Sequence, residues 1–300
     1  MRSFSERGGH QVRCSVTALL SFGLSAAAAA PGAPGRDSNV AVHVIEKKQF
    51  PDRGKQEIAL YPTVVQVNGK YTQHLGTAIS YTYHLHENFA LQLLPQYNWY
   101  ARESALSQEL IDKTSQQPLA ANSLLLFWGI QAGVEVAPIY GKFVFYQRHL
   151  VRFGLVLNGG IGLGSTRHQL KPSNASGPAT YGDTGLKFLG SVGGGFRVQL
   201  GERFAIRLEI RDLVYTARVD RVNGCNADDL AAMAARIDQG QGVAGASVSS
   251  GCDVSSFDGI DPRTNYNRSN DVPLALGLVS SRSSDVRNTV GFYAGLALVF

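Results

Sequence analysis

The stretch from Asn288 to Phe300, NTVGFYAGLALVF, limits the possible folds more than any other part of the chain. Val290, Phe292, Ala294, Leu296, Leu298 and Phe300 make one alternate set, all apolar. Thr289, Gly291, Tyr293, Gly295, Ala297 and Val299 make the other, smaller and more mixed. A period of two is the period of a β-strand, so one face is greasy and the other accommodates varied neighbours. The aromatic end at Phe300 leaves that greasy face without a following helix or loop. The expectation is a last strand that closes a ring against an earlier one.

The same alternation recurs upstream. Strands are expected at Glu57–Val67, Leu75–Leu85, Phe89–Ala101, Ser123–Val136, Val151–Gly164, Gly185–Leu200 and Phe204–Ala217. Pro62 cannot donate to a ladder, so a bulge is expected there. Leu124, Leu126, Trp128, Ile130, Val134 and Val136 read as one face of the fourth strand, Gly129, Gln131, Gly133 and Glu135 as the other. Phe204, Ile206, Leu208 and Ile210 stand opposite Arg207, Glu209 and Arg211 on the seventh. Pro138 to Lys142 reads as a turn and Phe143 to Leu150 as an aromatic, basic connection. Polar loops are expected at 102–122 and 165–183, and a long one at 218–287.

With the last strand the count is eight. Connections after strands two, four and six are short; those after three, five and seven are long, while the connection after strand one, Asn68 to His74, is short and departs from the pattern. That asymmetry, with an even strand number, is the pattern of a barrel that crosses a membrane with its strands. A charged fraction of 17% and 33 Gly suit strands with a crowded interior face. No run of about 18 apolar residues lies beyond position 30, which excludes a transmembrane helix there. The fold expected is all-β: an eight-stranded antiparallel transmembrane β-barrel, an up-and-down meander spanning residues 56–300.

Residues 1–30 read as a signal peptide: Arg2, Arg7 and Arg13 in front, an apolar Val16 to Leu24, then Ala26 to Ala30. Residues 31–55 are expected to be a periplasmic segment or a plug. The net charge of +5 falls to +3 once residues 1–30 are set aside. That is too weak and too dispersed for a nucleic-acid partner. Cys14 falls in the signal. The remaining pair, Cys225 and Cys252, is expected to form one disulfide in an exported protein. No cofactor and no metal site is expected.

Several segments resemble the bacterial outer membrane beta-barrel domain family. They are Pro138-Ile139-Tyr140-Gly141-Lys142-Phe143, the Gly-rich strand after it, the approach Val44 to Phe50, and the ending on Phe300. The architecture resembles the transmembrane domain of outer membrane protein A. The final strand is similar to the insertion signal of such barrels, carried here by Tyr293, Gly295, Leu298 and Phe300. The resemblance implies an outer-membrane location, with outer-membrane lipid and the barrel assembly machinery as partners. It carries over no catalytic residue. A monomer is expected.

The residues that remain for chemistry are charges on the inner face: Glu57, Glu135, Arg152, Lys187, Arg197, Arg207, Glu209 and Arg211. An eight-stranded barrel is barely wide enough for its own side chains. Charges inside it must pair or hold water, because an unpaired buried charge is costly. A structural salt-bridge network is the first expectation. A small solute pore with an Arg-rich lumen is the second. A barrel-embedded hydrolase is the third, but no His is paired by spacing with a Ser and a carboxylate. Gly159 to Gly164 and Gly193 to Gly195 lie on strands with no helix following, so they do not read as phosphate loops. The role expected is a non-enzymatic one, structural or exercised through the external loops. In the long loop, Asn226 or Asp228 could cap a short helix over Asn226 to Gln239; otherwise the loop reads as unordered surface.

Overall fold

The computed structural model describes residues 52–68, 72–103, 124–145, 149–171, 179–281 and 286–300. The expected signal peptide, and the segment before Asp52, lie outside them. In chain order the elements are β1 (Gln56–Asn68), β2 (Thr72–His86), β3 (Phe89–Glu103), β4 (Leu124–Phe145), β5 (His149–Lys171), β6 (Thr180–Gln199) and β7 (Phe204–Thr216). Then come α1 (Ala227–Asp238), β8 (Ile260–Asp261), β9 (Tyr266–Asn267), α2 (Asp271–Ser280) and β10 (Val286–Val299). Among the described residues, eight strands close into a ring in the order β1, β10, β7, β6, β5, β4, β3, β2. Each neighbouring pair is antiparallel, and β10 pairs with β1 from Val299 opposite Glu57 to Val290 opposite Val67. Closure leaves no strand edge around the ring.

Alternation sets the two faces. Leu208, Ile210, Leu296, Phe292, Ile79, Leu91 and Phe196 point outward and are exposed. So are Tyr83, Tyr97, Trp99 and Trp128. Arg207, Glu209, Arg211, Glu57, Glu135 and Gln92 point inward and are buried. This polarity is the reverse of a water-soluble barrel. Pro62 sits in the expected irregularity: the register of β1 shifts between Leu60 and Thr63 against β10. Gly295 lies opposite that bulge. A Cβ there would sit 2.7 Å from the Tyr61 ring and collide with the Leu60 carbonyl, so glycine lets the bulge seat.

Three expectations are corrected. First, Pro138 to Lys142 is not a turn. β4 and β5 run on as a two-stranded hairpin to Phe145 opposite His149. Pairing with β3 stops at Val136 and pairing of β5 with β6 stops at Arg152, so this hairpin projects beyond the ring. A register shift between Val136 and Ile139 absorbs Pro138, where its missing N–H costs no ladder bond. The loop read at 165–183 is likewise shorter, because β5 reaches Lys171 and β6 starts at Thr180.

Second, Leu124 and Leu126 do not face out. A register shift between Leu126 and Trp128 puts one extra residue, Phe127, into β4. A one-residue insertion inverts the faces on one side of it. Trp128 is therefore outside while Leu124 and Leu126 are fully buried.

Third, residues 218–281 are not an unordered loop. They form a cap over the end of the barrel that carries the long connections. Leu124, Leu126, Leu170, Leu189, Leu213 and Tyr215 of the strands share one apolar cluster with Val222, Leu230, Met233, Phe257, Val272 and Val279 of the cap. The lumen thus holds two layers: polar at mid-depth, apolar beneath the cap. α1 begins at Asn226, whose side chain accepts from the Asp229 N–H at 2.9 Å, while the Asp229 carboxylate accepts from the Asn226 N–H at 3.0 Å. This reciprocal capping closes two open donors at the helix start.

Cys225 and Cys252 are joined with 27 residues of sequence separation. Gly224, at φ +78°, lets the chain reach this bridge. A loop of that size is stabilised by about 3–4 kcal/mol through chain entropy. Replacing both cysteines with serine is expected to make the cap sensitive to trypsin while the barrel stays folded. Two free thiols in the unreduced protein by mass spectrometry would contradict the bridge.

Asp229 adds a pH-dependent hold. Burial pushes its pKa up, but the Ser249 and Asn226 N–H groups, the Ser249 hydroxyl and Arg221 outweigh that, and the net shift is downward. The Ser249 N–H and hydroxyl each donate to it at 2.7 Å. A carboxyl with a depressed folded pKa contributes stability above its unfolded value and loses it as pH falls through the folded one. Protease resistance of the cap is expected to fall on acidification below about pH 4, and to fall less in Asp229→Asn.

Candidate functional site: the lumen network

Arg207 is the centre of the lumen. β7 directs it inward between Ala205 and Glu209, and none of it is exposed. Its Nη1 donates to Glu57 Oε1 at 2.6 Å, its Nε to Glu209 Oε1 at 2.7 Å, and its Nη2 to Glu135 Oε2. One planar fork therefore bridges carboxylates from β1, β7 and β4. A guanidinium suits this task, with five donors fixed in one plane.

The network spreads from there. Glu209 also receives Arg211, from Nη2 at 2.6 Å and Nε at 2.9 Å. The Tyr61 hydroxyl and Asn158 Nδ2 donate to it at 2.7 and 3.0 Å. Arg211 reaches across to Gln92 Oε1 at 2.6 Å. Arg197 donates from Nη1 to Asp52 Oδ2 at 2.7 Å and its Nη2 stands in ion-pair contact with Glu57 Oε2 at 2.7 Å, and His84 Nε2 stands 3.4 Å from Glu57. Gly193 and Gly195 of β6 face Arg211 and Glu209 in register. A Cβ on Gly193 would lie 2.8 Å from Arg211 Cγ, so side chains there would displace the arginine.

Six of the eight charges expected inside stand in this network: Glu57, Glu135, Arg197, Arg207, Glu209 and Arg211. Lys187 does not. It lies nearer the cap, where its ammonium donates to the Arg218 carbonyl. β6 runs past the network, so inward alternation alone does not mark depth. Arg152 is half-buried on β5, opposite Gln199 at the other end of the ring. Asp52 was missed, because it precedes β1 and carries no alternation signal. Its neighbour backbone is held there by the Gly54 N–H donating to the His84 carbonyl at 2.7 Å. Tyr61, Gln92 and Asn158 were missed as partners, although period two does place them inside.

Above the charges lies a neutral layer. The Tyr293 hydroxyl donates to Gln96 Oε1 at 2.8 Å and accepts from Gln66 Nε2 at 3.1 Å. Asn98 Nδ2 donates to Gln66 Oε1 at 3.0 Å. Of the final-strand residues read as an insertion signal, Tyr293 therefore serves the lumen and Gly295 the bulge, while Leu298 and Phe300 face out.

The arrangement holds side chains rather than substrate. One cavity at the short-turn end of the lumen, lined by His84, Glu135 and Arg197 among others, measures about 30 Å³, room for about one water. Among the described residues no group of His, Cys, Asp and Glu could hold a metal ion.

No protein-family model and no curated protein sequence matches the chain. Solved structures do. Ail, the attachment invasion locus protein of Yersinia pestis, is similar over 83% of this chain and 99% of its own, at 10% identity and a TM-score of 0.34. The same protein in complex with the heparin analogue sucrose octasulfate gives a TM-score of 0.33 at the same identity and coverage. Neisserial surface protein A covers 82% of this chain and 96% of its own, at 10% identity and a TM-score of 0.32. No residue role is carried over from any of them.

Proposed function

We propose that the chain is a non-enzymatic outer-membrane barrel that displays an ordered, disulfide-pinned cap at the membrane surface. One observation carries this reading: the exposed face of the closed ring is apolar along the middle of every strand and the Arg207 network is inside, while the charges on the outward side, Arg102, Arg167, Asp183 and Asp212, stand toward the cap end of their strands. Hydrocarbon is the solvent that favours such a surface. The cap supports the display role, because it is a folded unit fixed to the mouth by a shared apolar cluster. Two features oppose conduction. Arg207 and its three carboxylates fill the lumen at mid-depth, and the cap cluster fills the mouth.

Cell fractionation with heat-modifiable gel migration tests the location. The expected result is recovery in the outer-membrane fraction with a faster-migrating unheated form. A soluble fraction would overturn the reading. In planar bilayers the expected result is no steady conductance, and regular openings would revive the pore.

A further inference from the structure

Near the cap the outer face of the barrel departs from plain hydrocarbon. β3 and β4 pair only up to Tyr97 opposite Trp128. Beyond that point they diverge and leave a cleft of about 110 Å³, lined by Asn98, Trp99, Ala101, Leu125, Phe127, Arg167 and Tyr181. The residues come from β3, β4, β5 and β6. The bulge that turns Phe127 outward builds its floor. Phe127 packs edge-on to Tyr97 with ring centroids 5.1 Å apart, and the Arg167 guanidinium lies 3.9 Å from the Phe127 centroid.

Arg167 is exposed, and its guanidinium lies over that ring. The nearest acid in register, Asp183, has its carboxylate turned to the Gly185 N–H at 2.8 Å. Arg102, stacked 5.4 Å from Tyr100, adds a second exposed cation on the same rim. The next residue of β3, Glu103, is a buried acid, and it and Arg102 both lie close enough to Tyr181 to act on it. A cation held flat on an aromatic floor, at the boundary of an apolar belt, presents free N–H donors toward the surface while the rings stay in hydrocarbon. Planar guanidinium donors match phosphate oxygens.

We infer that this cleft binds the headgroup phosphate of an anionic lipid in the leaflet on the cap side, with an acyl chain lying along Trp99 and Phe127. The inference rests on the membrane reading above, and its test separates the two. The chain has two tryptophans, Trp99 lining the cleft and Trp128 just below it. The full protein is reconstituted in mixed phosphatidylglycerol and phosphatidylcholine vesicles, with brominated chains on one lipid or the other. The expected result is at least twofold stronger quenching by brominated phosphatidylglycerol at equal mole fraction. In Arg167→Gln the two lipids are expected to quench equally, with heat-modifiable migration unchanged. Arg203→Gln, at a turn on the opposite end, is expected to keep the preference. Equal quenching in the parent protein overturns the site. So does a preference that survives Arg167→Gln combined with Arg102→Gln, or one that Arg203→Gln removes as fully. Quenching by neither lipid overturns the membrane reading itself.

Discussion

Arg207→Ala is expected to destabilise the barrel by about 3–5 kcal/mol, the cost of breaking a buried ion pair from one side. The reason is what remains. Glu57, Glu135 and Glu209 each lose the guanidinium that now sits between them, and they are left inside a closed ring. Arg197 still answers one oxygen of Glu57 and Arg211 one of Glu209, but Glu135 keeps only a 3.4 Å donor from Gln92. Arg207→Lys is expected to recover part of the loss, since a single ammonium cannot fork to three carboxylates. Adding Glu135→Gln to Arg207→Ala is expected to recover part as well, because it removes a stranded charge. Urea unfolding from lipid vesicles, followed by the loss of the fast-migrating form, measures all three. An Arg207→Ala protein as stable as the parent would show that the lumen is wet enough to solvate the acids, and the plugged reading would fail with it.

The second large effect belongs to the outer face and depends on depth. Phe204, Ile206 and Leu208 alternate outward along β7 from the short turn toward the middle of the strand. Leu208→Arg is expected to cost about 2–4 kcal/mol near the bilayer midplane, and Phe204→Arg only about 0–1 near the interface. Ile206→Arg falls between. The gradient arises because an arginine near the turn can extend its head to the interface, whereas one at mid-strand cannot. In a barrel surrounded by water the three substitutions would all lie near zero. A flat series in vesicle unfolding experiments would therefore exclude a membrane around this ring.

Both predictions draw on a face assignment that the local pattern already carries. Arg207, Glu209 and Arg211 share a side because every second residue of a strand does, and that holds whatever surrounds it. The same rule puts Leu208 and Ile210 outside. Where the rule fails, one inserted residue is responsible. Phe127 in β4 inverted Leu124 and Leu126, and nothing in the run LLLFWG marks which residue is the extra one. The bulge is chosen by the partner strand, where Leu126 meets Thr166 but Trp128 meets Ser165. Pro138 misled in the opposite direction, since a residue that ends most strands is carried inside a bulge here.

Periodicity and spacing by themselves determined that there are eight alternating strands, which way each side chain leans, and that two cysteines remain outside the leading segment. Only the tertiary structure decided which inward charges meet. Depth along the axis follows from the register and stagger of all eight strands together, and it put Lys187 under the cap and Asp52 beside Arg197. The cap was likewise decided in three dimensions. Its apolar residues carry no strand period, and they find one another only when the open end of the barrel offers Leu124, Leu189 and Leu213 as a surface to bury. Side-chain direction is a property of neighbours in sequence, whereas contact across a closed ring is a property of the closure.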